Sequence, residues 1–168
     1  MGILKMGTAG SFTVTDDDDV VRFKVNEATG DITSKVELLD EALADHTGRG
    51  IIRSATVDAN TVGLFSALLL SADGNYDEAD ASAIATMPCS ALALETGTGT
   101  KRVILRGLVR DDTWTWTIGG LIYVSETIGT LTQTAPVTAS AVVQCVGIAL
   151  TGDLIWFEPN FAMVVNAV

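Results

Sequence analysis

After Gly50 the chain never sustains an apolar stretch. Short hydrophobic runs alternate with Gly, Asp, Asn and Thr, and the longest, 64–70, is broken by Ser66. A membrane-spanning helix needs about 18 apolar residues, and a long core helix needs a sustained 3.6-residue period. Short apolar runs between turn residues are instead what a β-barrel or sandwich requires. The spacing predicts strands over 51–57, 63–70, 92–95, 102–110, 113–117, 121–125, 141–150 and 154–157. Turns are predicted at Asp73-Gly74-Asn75, Gly97-Thr98-Gly99-Thr100, Gly119-Gly120, Gly129 and Gly152-Asp153. In this region only 76–85, with Asp77, Glu78, Ala79 and Asp80, has the composition of a short helix.

The first fifty residues have a different texture. Asp16-Asp17-Asp18-Asp19 is a charge run, after which Val21, Phe23 and Val25 alternate with Arg22, Lys24 and Asn26 as on a half-buried strand. Thr29-Gly30-Asp31 supplies a turn and Ile32 a returning strand, a hairpin with its tip at 28–31. Ser34 to Glu37 has capping-box spacing, and Val36, Leu39 and Leu43 follow at helical intervals with Gly48 placed to stop them. A short helix over 35–46 is therefore expected. A continued strand is the rival, since Ile32, Ser34, Val36 and Leu38 also share one strand face. The fold class is mainly β: a barrel or sandwich at 50–168, preceded by an arm at 1–49 made of a β-hairpin and one short helix.

Of the 168 residues 48% are hydrophobic and 18% charged, which is apolar for a free monomer of this size and excludes disorder for most of the chain. The net charge is −11, with 10 Lys and Arg scattered through the sequence and no visible basic patch, so no nucleic-acid partner is expected. No membrane partner is expected either. Residues 1–10 do not read as a secretory signal, and Met6 stands where a myristoylation motif needs Ser or Thr. Cys89 and Cys145 lack metal or redox spacing and read as buried, reduced thiols.

Catalytic chemistry finds no purchase. The single histidine, His46, is expected at an exposed helix end, with Asp45 not positioned to orient it. Asp73, Asn75 and Asp77 match the opening ligands of a calcium loop, but Glu78 replaces the turn glycine and Ile84 the bidentate Glu, so a polar turn is the better reading and a cation there stays open. Gly97 to Lys101 lacks the context of a phosphate loop. No catalytic residue, metal or cofactor is expected.

Several strands are apolar on both faces: Leu154 to Phe157, and Val142, Val143, Cys145 and Val146. One outer face is therefore expected to pack on the arm or on another subunit. Trp114 and Trp116 alternate with threonines and should point to one side. With Trp156 they are candidates for core or interface, and Phe23 and Val25 are candidate anchors of the arm on a neighbouring subunit.

The phrases Gly119 to Ser125, Gly129 to Thr132, Ala135-Pro136, Val143 to Ala149 and Ile155 to Pro159 resemble a β-module of tailed-bacteriophage virion proteins. That module is seen in capsid decoration, or cement, proteins and on phage fibres. Upstream, Ser71 to Tyr76, Ala79 to Ala81, Cys89 to Leu94 and Gly107 to Arg110 extend the likeness over about 60–168, and 21–32 is similar to hairpins that begin trimeric fibres and spikes. The resemblance implies a non-enzymatic virion protein, made in the host cytoplasm. It would assemble with itself, commonly as a homotrimer, and with the major capsid protein or another virion protein. A head-surface decoration protein is the first expectation, and a tail-associated fibre, spike or adhesin subunit the alternative. The likeness brings no catalytic residues with it.

Overall fold

The computed structural model describes the backbone of residues 3–6, 12–15, 21–25 and 32–33, and residues 43–58 and 62–167 in full. Two units separate, Met1–Glu41 and Ala42–Val168. The boundary precedes the one expected at 49/50 because Thr47, Gly48 and Arg49 are already paired in the first strand of the second unit.

The first unit is an antiparallel meander of β1 (Ile3–Met6), β2 (Phe12–Thr15), β3 (Val21–Val25) and β4 (Ile32–Thr33). The expected hairpin is the β3–β4 pair, in register Lys24↔Thr33 and Val25↔Ile32. Two strands upstream widen it. Its tip lies outside the described residues, as do most of 35–46 and the Asp16 to Asp19 run. The described end of the expected helix, 43–46, is coil and turn. Gly48 does not stop a helix but lies within a strand, where a Cβ would come 2.7 Å from Leu94 Cδ2.

The second unit contains β5 (Thr47–Val57), β6 (Ala67–Leu70), β7 (Tyr76–Glu78), β8 (Cys89–Ala93) and β9 (Gly99–Arg110). These five close into a barrel in the order β9-β5-β7-β6-β8 and back to β9. Only β5–β7 is parallel, touching at Val57↔Tyr76. After the barrel come β10 (Leu121–Val124), β11 (Leu131–Thr132), β12 (Val142–Val143), β13 (Cys145–Ala149), β14 (Leu154–Phe157) and β15 (Val164–Val165). The far half of β9 leaves the barrel and pairs with β14, which continues through β13 and β10 to β11. β12 and β15 form a separate two-stranded ribbon.

Strand alternation produces two cores. Ala55, Val57, Leu68, Ala91, Ala93 and Val103 face one another inside the barrel, where the small alanines fit a closed five-stranded tube. Their sequence neighbours Ala67, Leu92 and Ile104 point outward and meet Ile122, Val124, Val146, Ile155 and Phe157 of the second layer. The excess of apolar strand faces is thus partly absorbed within the unit, between barrel and second layer. Truncating Leu92, wholly buried, is worth about 2–5 kcal/mol by the usual cost of such cavities.

Three predicted elements differ. Residues 113–117 join no ladder: Thr113 lies in a turn and 114–117 are irregular, with the Trp114 N–H donating to Asp111 O (3.0 Å) and the Trp116 N–H to Gly152 O (2.8 Å). The span 76–85 is not a helix: it begins as β7, and its single helical turn is a 3₁₀ turn at Ile84–Thr86. There Ala79 and Ala81 are fully buried, and the Ala79 N–H donates to Ala67 O while the Ala81 N–H donates to Ser125 O, so tertiary pairing overrides helical propensity. The single strand expected over 141–150 breaks at Gln144 into β12 and β13, which pair with different partners.

Candidate functional site

The three tryptophans occupy two places. Trp114 and Trp116 sit in the loop after β9 and keep the predicted common side: their rings meet at 5.5 Å between centroids, and Trp114 meets Phe65 at 5.4 Å, both pairs tilted by about 50°. All three border an open hollow of about 340 Å³. Phe65 is buried with φ at 58°, a backbone state rare for a bulky residue. Both tryptophans are half-buried against the inter-layer core, which makes them chiefly core residues with one open edge.

Trp156 points the other way, on the outer face of β14. The Arg106 guanidinium lies 5.6 Å from the centre of its ring, its Nε1–H donates to Glu158 Oε2 at 2.8 Å, and Arg106 Nη2 pairs with Glu158 Oε1 at 2.7 Å. An exposed cation–π contact is worth about 0.5–1 kcal/mol, so this network orders the surface more than it stabilises the fold. The segment after Glu158 separates two grooves of about 630 Å³ each and exposes Phe161 at 61% on their common rim. Phe23 and Val25 lie on β3 in the other unit, where the backbone alone is described.

His46 is not at a helix end. It occupies a left-handed turn (φ 56°) before β5, with Nδ1 3.6 Å from Asp45 Oδ2 and Nε2 3.6 Å from Asp111 Oδ1. Asp45 thus lies beside the imidazole, at a distance too long for a hydrogen bond that would orient it. The carboxylates have other work: Asp45 Oδ1 accepts the Asp112 N–H (2.9 Å), and Asp111 Oδ1 accepts from the N–H and hydroxyl of Thr113 (2.9 and 2.6 Å). This trio closes the loop over the start of β5. At the calcium-like turn, Asp73 and Asp58 accept from the Asn75 side chain, at 3.1 and 2.7 Å, and Asp77 accepts from Ser71. Asp73 and Asn75 are thus bonded to each other, while Asp77 is engaged separately by Ser71.

Cys89 is buried and free, as expected. Cys145, also free, is only partly buried and borders one of the grooves.

Two features escaped sequence reasoning. Gln144 is wholly buried at the joint between the layers. All six basic residues of the second unit lie on β5 and β9: Arg49, Arg53, Lys101, Arg102, Arg106 and Arg110. The basic residues that look scattered along the chain are therefore gathered by the β5–β9 pairing. No signal within either strand alone reveals this, since the convergence depends on register. Large apolar side chains also stand exposed on connections and the last strand, including Ile118 (70%), Val137 (83%) and Val164 (65%). Scattered singly, such residues are ordinary on a protein surface; a contiguous patch of them is what marks a surface that meets other proteins.

No protein-family model, curated protein or solved structure matches the chain.

Proposed function

We propose that this chain is a non-enzymatic structural protein of a tailed-phage particle, a capsid decoration or cement protein that binds the head shell and stabilises it. The observation that carries this reading is the pairing of a two-layer β body with exposed apolar residues on its loops and last strand. The family likeness of 60–168 gives that body its biological setting. Its partners are further copies of itself, as a homotrimer, and the major capsid protein, and it reaches the head surface after synthesis in the host cytoplasm. An acidic exterior keeps particles apart, while burial of apolar area, at roughly 25 cal/mol per Å², adds up over many copies on a lattice.

Particles assembled without the protein test the role. Loss of genome at lower temperature or osmotic shock than for complete particles is the expected result, and unchanged resistance would sink cementing. Labelling found at the tail alone would transfer the protein to the fibre, spike or adhesin class.

A further inference from the structure

β5 is paired along its whole length on one edge and hardly at all on the other. On one side it is paired with β9 from Thr47↔Arg110 to Val57↔Gly99. On the other, β7 reaches it only at Val57. Among the described residues, no strand covers that second edge from Thr47 to Thr56. In an antiparallel ladder alternate residues turn N–H and C=O away from their partner, so along 50–56 this edge is a row of backbone groups ready for another strand. Natural edges are usually short, bulged or covered. The bulge here lies on the opposite strand, at Leu105 between Ile51↔Arg106 and Ile52↔Ile104, and leaves the alternation of β5 unbroken.

The side chains along this edge select the partner. Residues 49–54 are exposed on both faces of the strand, with Ile51 at 59%. Arg49, Ile51 and Arg53 share one face, and Arg106 stands across the ladder from Ile51. β5 and β9 carry every basic residue of their unit and none of its acidic ones. Glu95, Glu158 and Asp112 with Asp153 bind Arg102, Arg106 and Arg110, whereas no carboxylate binds Arg53 among the described residues. A second β5 laid on this edge would set one arginine stripe against another. A nucleic acid would find cations but leave the ladder groups unused.

We infer that the free edge of β5 receives an extended acidic segment of a partner protein, added as a new strand with carboxylates on the Arg53 face and apolar side chains on the opposite face, beside the exposed Ile52. The inference stands on the edge and its charge, and goes beyond the particle role proposed above.

The full chain, isotopically labelled, is titrated with an acetylated Glu-Val-Glu-Val-Glu-Val peptide, its Lys-Val counterpart and oligothymidylate. The acidic peptide should slow amide exchange within 49–54, and the Arg53→Glu variant should bind it about tenfold more weakly. Arg53→Gln, expected to fall between the two, serves if Arg53→Glu does not fold. Three results would overturn the proposal: no protection within 49–54, binding of the Lys-Val peptide or the oligonucleotide at least as tight, or protection of the same amides by self-association in the absence of peptide.

Discussion

Gln144 does the work of a missing strand. Its side-chain Oε1 accepts the Cys89 N–H at 2.8 Å and its Nε2 donates to Cys89 O at 2.9 Å, both bonds buried, and Nε2 also donates to Asn160 O at 3.0 Å, a bond only partly buried. The amide thereby joins the barrel strand β8 to the segment that follows β14. Gln144→Leu leaves the polar groups of Cys89 buried without partners, and a loss of about 2–5 kcal/mol is expected in urea unfolding. Gln144→Glu should also destabilise, since a carboxylate cannot donate to Cys89 O. A loss below about 0.5 kcal/mol for Leu would contradict the role. In sequence, a lone Gln between Val143 and Cys145 in an apolar run signals either an edge or a buried joint, and nothing local distinguishes them. Beside it, burial pushes the Cys89 thiol up to about 12 from its ordinary 9.0, with backbone hydrogen bonds opposing the shift. The folded pKa lies above the unfolded one, so this stabilisation is complete below pH 9 and is lost as pH rises from 9 through 12. A thiol reagent at pH 8 should modify Cys145 in the native chain and Cys89 only after unfolding. Native labelling of Cys89 would show the barrel face to be open.

At the scale of elements, the β5–β9 ribbon depends on two glycines placed opposite each other, Gly50↔Gly107. Both have positive φ, 156° and 145°, and a Cβ on Gly107 would come 2.2 Å from Arg49 O, while one on Gly50 would come 2.1 Å from Arg106 O. The backbones approach too closely there for any side chain, beside the point where β9 passes from the barrel into the second layer. Gly107→Ala must push the strands apart and should cost about 3 kcal/mol or more in thermal or urea unfolding. Gly74→Ala is the comparison: its φ of 89° is equally glycine-like but nothing lies within 4 Å, so about 1 kcal/mol is expected. Equal losses at the two positions would mean that φ, and not strand approach, sets the cost. Most strands were legible because alternation and turn residues bound them: 154–157 coincides with β14, and 51–57, 102–110 and 121–125 fall within a few residues of β5, β9 and β10. Residues 113–117 have the alternation of a strand without being one. Alternation reports which way side chains point, while ladder membership depends on a partner that the Asp111 and Gly152 carbonyls displace. For the same reason the tryptophans' common side was legible and their partner Phe65 was not.

For the whole molecule, charge was legible as a total and not as a distribution. The sum of −11 is read directly from the sequence, whereas the gathering of Arg49 and Arg53 beside Arg102, Arg106 and Arg110 appears only when 47–57 is laid against 99–110. The acidic groups outside that ribbon tie down connections. Glu126 accepts from the hydroxyl and N–H of Thr138 and from the Val137 N–H, which hold its pKa below the ordinary 4.5. Glu95 is lowered likewise, first by the Arg102 N–H and then by its guanidinium, and Asp153 below 3.8, first by the Thr151 hydroxyl. Each folded pKa lies under its unfolded value, so the contribution is complete above about pH 4.5 and is lost as pH falls through the lowered values. All three groups are exposed, which keeps each contribution small and sensitive to salt. Between pH 7 and 5 they stay ionised, and the net negative charge begins to shrink toward the isoelectric point near 4.2, which eases self-repulsion. The midpoint of thermal unfolding should therefore hold or rise from pH 7 to 5 and fall below pH 4.5. Glu126→Gln should flatten part of that acid limb while leaving the midpoint nearly unchanged at its acid end, below the lowered pKa, where the wild-type carboxylate is itself protonated. An acid limb of the same slope in Glu126→Gln and wild type would assign the loss of stability to other carboxylates, and would leave the Glu126 bonds to Val137 and Thr138 without thermodynamic weight.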